Sequence, residues 1–112
     1  MDKLDKYRTI IKQVLTEHYQ LAESTNLPHE NVLIFDDEHG HYLFMFMGWN
    51  KDERLKSTMI HLRLKNDKIW IEEDWTEDGV ATDLLAAGLT HQEMVLAFHP
   101  PQIRHHTEFA VA

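Results

Sequence analysis

Histidine and carboxylate are the residue types here that could do chemistry. With nine histidines and nineteen Asp and Glu, a metal or acid/base site is the first reading to weigh. His39 and His41 flank Gly40 directly after Asp36, Asp37 and Glu38, so one turn could offer imidazole and carboxylate ligands together. No third ligand follows at a metal-binding spacing, and the same residues make an ordinary polar turn. His99, before Pro100-Pro101, lies near His105-His106, where the plainer role is a rigid turn whose histidines cap carbonyls or face water. His61 alternates with Met59 and Arg63 as a strand histidine within reach of a cross-strand acid. His18 falls on the apolar face of the first helix, the place of a hydrogen-bonded core histidine.

Glu72-Glu73-Asp74 supplies several carboxylates, but neighbouring strand residues point to opposite faces, so the run does not converge on a substrate. No Gly-rich phosphate loop, Ser nucleophile elbow or His-Glu-x-x-His zinc helix is present. The absence of cysteine removes disulfides, thiol catalysis, iron–sulfur clusters and Cys-based zinc sites together. The residues therefore predict a non-enzymatic protein with no catalytic residue, no metal and no cofactor. A metal-dependent hydrolase using His39, His41 or the histidines around Pro100 is the enzymatic alternative.

Charge points to partners. The formal net charge is −8, and residues 66–93 concentrate it: Asp67, Glu72, Glu73, Asp74, Glu77, Asp78, Asp83 and Glu93 stand against Lys68 alone. In residues 51–65 the balance reverses, with Lys51, Arg54, Lys56, Arg63 and Lys65 against Asp52 and Glu53. An acidic surface repels phosphate at long range, so tight direct DNA binding is disfavoured, and those five bases carry the DNA-contact alternative. Trp49, Trp70 and Trp75 gather near strand ends as core lids or interface anchors. Trp70 points away from Ile69 and Ile71 and, with Glu72, Glu73 and Asp74, forms the expected partner-binding surface.

The elements that must hold these residues are legible from periodicity. Leu4, Tyr7, Ile11, Val14, Leu15, His18, Tyr19 and Ala22 keep helical spacing and predict a helix over residues 2–23, closed by Ser24, Thr25, Asn26 and Pro28. Val32–Phe35, a turn through Gly40, and His41–Trp49 predict a hairpin whose second strand, apolar on both alternating sets, should be central and covered on both faces. Thr58–Leu64 and Ile69–Glu72 follow as strands, which predicts an antiparallel four-stranded meander. Thr76-Glu77-Asp78-Gly79 offers an N-cap and early acids for a helix carrying Val80, Leu84 and Leu85, with Gly88 at its end. Thr90-x-x-Glu93 is a capping-box pattern and predicts a second short helix to about Ala97, ended by Pro100-Pro101. The tail to Ala112, closing on Phe109-Ala110-Val111, should dock on the domain.

The fold class is thus α+β, one domain over residues 1–112. With 43% apolar and 27% charged residues the composition suits a packed core. The longest apolar run, Tyr42–Trp49, is far short of the roughly 20 residues of a membrane helix, and the charged opening Met1–Lys6 is unlike a signal peptide. A cytoplasmic protein without membrane association is expected. A homodimer through an exposed sheet edge or Trp70 is open to it.

Beyond these residue-level readings, the chain resembles the XisI-like proteins of cyanobacteria, a family named for a factor that controls excision of the fdxN element. The resemblance rests on Met1-Asp2-Lys3-Leu4-Asp5-Lys6-Tyr7-Arg8, Phe35-Asp36 through His41-Tyr42 to Gly48-Trp49, and Ile60-His61. It continues through Lys68-Ile69-Trp70-Ile71, Thr76–Ala81, and Phe98-His99-Pro100-Pro101 to Thr107–Ala112. Two positions depart from the family pattern: Trp75, where a small residue, often Gly, is usual, and Ala97, where Gly is common. The resemblance implies an accessory role in programmed DNA rearrangement through an XisH-type protein partner, with DNA reached indirectly through a recombinase complex. It brings no catalytic residues. A DNA-binding recombination directionality factor is the alternative within the same setting.

Overall fold

The structure, a computed structural model, describes residues 2–112; Met1, which opens the first block of the resemblance, lies outside them. Helix α1 runs Lys3–Glu23, and the Asp2 carboxylate caps it by accepting from the Asp5 amide at 2.9 Å. Strands β1 (His29–Asp36), β2 (His41–Asn50), β3 (Glu53–Lys65) and β4 (Lys68–Asp74) follow in antiparallel sequence, then α2 (Val80–Ala86), a 3₁₀ turn at His91–Glu93, β5 (Met94–Leu96) and a 3₁₀ segment at Pro101–His106.

One side of α1 buries Tyr7, Ile10, Ile11, Val14 and Leu15 against Tyr42 and Phe44 of β2 and Ile60 and Leu62 of β3. The same core takes in Ile69 and Ile71 of β4, Val80 and Leu84 of α2, and Met94. The turns between strands are short because the chain accepts left-handed backbone there. Lys51 lies at φ 57° in the β2–β3 turn, and Asn66 and Asp67 at 53° and 60° in the β3–β4 turn. The first of these turns is so tight that Asn50 already pairs with Glu53, and β3 therefore begins five residues before the expected Thr58. Gly40, at φ 73°, is required twice over, since a Cβ there would come within 2.9 Å of the Leu64 carbonyl oxygen.

Two expectations need correction. The sheet is five-stranded and mixed, in the order β1-β2-β3-β4-β5, with β5 parallel to β4 where a second short helix was expected. The Thr90–Glu93 capping box does form, but Met94 turns extended at φ −125° and ψ 145°. Met94 belongs to the main core while Val95 packs on Trp70 and Ala110 on the other side of the sheet, and only a strand sends consecutive residues to opposite faces. The tail docks by continuing this arrangement, with Val95 bridging Ala110 in parallel.

The second correction concerns β2, which is central but covered on only one face. Tyr42 and Phe44 are buried under α1, whereas Leu43, Met45 and Met47 on the opposite face remain half-buried. The fold supplies a helical layer to one side of the sheet, and the C-terminal segment packs over β4 and β5 on the other.

Candidate functional site

The acidic run at the end of β4 divides into separate roles. Asp74 is used by the fold: its Oδ1 accepts from the Thr76 amide at 2.9 Å and hydroxyl at 2.6 Å, and its Oδ2 accepts from the Val80 amide at 2.7 Å. That last bond caps α2, whose own N-cap, Gly79, has no side chain to do so. Glu73 accepts from the Trp75 indole Nε1 at 2.7 Å. The tryptophan, 68% exposed, is thereby held at one orientation on the surface with Glu77 and Asp78 exposed beside it. Beneath lies an open cleft of about 440 Å³, lined by His18 and Leu21 of α1 together with Met59, Trp75, Asp78 and Asp83. His18 is hydrogen-bonded, as expected, but half-buried at the cleft wall instead of in the core, with Nε2 2.7 Å from Asp83 Oδ2.

Trp70, expected at an interface, is only 7% exposed. Val95 and Ala110 cover it, its Nε1 donates to the Lys65 carbonyl at 2.9 Å, and the Lys65 ammonium and Arg104 guanidinium sit 4.6 and 5.3 Å from ring centres. The docking tail was legible, but not that it would land on this residue. The surface tryptophans are Trp49 and Trp75. Glu72 is half-buried.

The five bases of the DNA alternative do not form one patch. Lys51, Arg54 and Lys56 lie at one end of the β2–β3 hairpin, with Arg54 stacked 5.3 Å from Trp49. Arg63 and Lys65 lie towards the other end of β3, so Arg54 and Lys65 are roughly 35 Å apart at strand spacing.

The histidine groupings separate as well. His39 turns back on Asp36, donating its amide to Oδ1 at 3.0 Å and placing Nδ1 2.9 Å from Oδ2. That amide bond first, and the imidazole second, hold the Asp36 carboxyl below the ordinary range. His41 points instead to His61, Nδ1 to Nε2 3.0 Å, and burial followed by the His41 charge pushes His61 below the usual histidine value. The His105 and His106 rings lie 3.9 Å apart at a tilt of 41°, while His99 lies 4.7 Å from the Phe98 ring at a tilt of 53°. Among the described residues no three His, Asp or Glu side chains come together in a metal-holding group. A further contact, invisible to spacing, joins the chain's two ends: Tyr7 Oη donates to Glu93 Oε2 at 2.5 Å.

The comparison with known proteins turns on the length matched: residues 1–111 fit the family described as XisI protein. The chain belongs to the XisI family. Two solved XisI structures are similar throughout. One is described as the fdxN element excision controlling factor XisI from Anabaena variabilis; it is 37% identical with a TM-score of 0.85, covering 99% of this chain and 100% of its own. The other, an XisI-like protein from Anabaena variabilis, is 31% identical with a TM-score of 0.91, covering 97% of this chain and 99% of its own. No curated protein matches. Among the described residues of this XisI chain, no helix is long and apolar enough to cross a membrane.

Proposed function

We propose that this protein is an accessory, non-enzymatic factor in the control of DNA excision, and that it works by binding a protein partner of XisH type. The carrying observation is its full-length similarity to a protein described as an fdxN element excision controlling factor. The surface best suited to the partner is the acidic turn after β4, where Trp75 stands exposed between Glu73, Glu77 and Asp78. A fixed, exposed tryptophan in an acidic surround fits a basic protein surface with an apolar pocket, because aromatic anchors dominate interface energetics while flanking charge steers encounter. Trp75 stands where the family pattern has a small residue, so this anchor sets partner choice for this chain in particular.

The test is calorimetry of the purified chain with an XisH-type protein from the same genome. Binding by the unaltered chain is expected, with Trp75→Ser and the pair Glu77→Lys, Asp78→Lys each weakening it about tenfold or more. No binding by the unaltered chain removes the partner reading, and binding indifferent to both variants moves the partner elsewhere.

A further inference from the structure

Among the described residues, nothing covers β1 and β2 on the face of the sheet opposite α1. There β1 and β2 present Val32, Ile34, Leu43, Met45, Met47 and Trp49, all half-buried or exposed. The C-terminal segment covers this side at β4 and β5, around Trp70. A sheet face left to water normally alternates to polar residues, and here β2 does not.

The charges along the margins of this face decide what fits it. On β1, alternation places Glu30 and Asp36 on this side, paired across to Met47 and His41 of β2. On β3, Lys56 and Arg63 pair with the same Met47 and His41. One margin therefore carries an acid, and the other a base, at the same two levels. Among the described residues, Glu30, Lys56 and Arg63 have no ion-pair partner within the chain.

We propose that a second copy of this chain covers this face, related by a two-fold axis running along β2. Such an axis exchanges the margins while leaving the levels in place. The β1 strand of one copy then lies over β3 of the other, which brings Glu30 over Lys56 and Asp36 over Arg63, each pair made twice. Leu43, Met45 and Met47 of the two copies interleave at the centre, and Val32 and Ile34 meet the Thr58 and His61 levels. An axis across the strands would instead stack acid on acid and base on base. Aligned sheets accommodate an angle of about 30° between their strands, so the twist of each sheet does not prevent the contact. A partner of a single charge sign would be attracted by one margin and repelled by the other.

Sedimentation of the full chain tests this. A concentration-dependent dimer is expected, lost in Met45→Lys. Lys56→Glu, an exposed change that spares the core, should weaken it about tenfold or more by turning two ion pairs into like-charge contacts. The double variant Glu30→Lys with Lys56→Glu should restore it. Trp75, which shares its cleft with α1 residues beyond the end of β4, lies outside this face, so Trp75→Ser should dimerise as the unaltered chain does and keeps this test separate from the partner test. A chain that stays monomeric, a dimer indifferent to Met45→Lys and Lys56→Glu, or a Met45→Lys change that abolishes only the binding of a different protein would each overturn the assignment.

Discussion

Single side chains carry two of the measurable consequences. The Tyr7 hydroxyl is buried and donates to Glu93, which also accepts from the Thr90 amide at 2.9 Å, so one carboxylate ties α1 to the segment before β5. Tyr7→Phe removes a bond to a charged acceptor and should cost about 1.5–3 kcal/mol in urea denaturation at neutral pH. The Tyr7 hydroxyl, first among its causes, holds the Glu93 carboxyl below its ordinary value. A depressed carboxylate contributes stability that is present above the unfolded value and lost as pH falls through the folded one; the variant should therefore lose less on acidification than the unaltered chain. His61 behaves in the same sense, in a higher pH window. Burial and His41 disfavour its charged form, so the unfolded chain binds the proton more readily, and stability should fall as pH drops from the ordinary 6.5 towards the lower folded value. His61→Gln should flatten that fall, read as the denaturation midpoint across this range.

At the scale of elements, α2 depends on a carboxylate outside itself. Its seven residues start from Gly79, and the Asp74 side chain alone reaches back to the Val80 amide while also closing the Thr76 turn. Asp74→Ala should cost about 1–3 kcal/mol and raise amide exchange across residues 76–82 more than elsewhere, because a capping acceptor and a turn acceptor are lost together. The sequence marked Thr76 to Gly79 correctly as a helix start, but the side chain that caps it is that of Asp74, outside that run. The β5 segment shows the same limit from the other side. Thr90 and Glu93 form their capping box, yet whether three apolar residues after it continue as helix or strand depends on what lies on each side of them, and Trp70 and the main core lie on opposite sides.

For the molecule as a whole, charge is arranged by the sheet and not by the order of residues. Five bases that sit close in sequence are sent to the two ends of a long hairpin, and the acids of β1 end up level with bases of β3. Any retention of duplex DNA should consequently depend weakly on salt, with a log–log slope of no more than about three, since each end of the hairpin offers only a few phosphate contacts. A filter-binding or anisotropy titration at several salt concentrations measures this, and a steep slope would favour the DNA-contact alternative.

The sequence by itself determined the helix of Leu4 to Ala22, the three hairpin-linked pairs of strands, the docked tail, the family, and the want of a convergent catalytic motif. These rest on periodicity, turn chemistry and residue order, which are local or nearly so. Tertiary structure decided that Trp70 is covered and Trp75 is not, that Asp74 is spent on α2, that His41 faces His61 and not His39, and that β2 has one bare face. Each depends on contacts between residues far apart in the chain, and alternation can say which residues share a face but not whether anything lies upon it. The chemistry-bearing residues were visible from the start; the backbone decided that they would be dispersed.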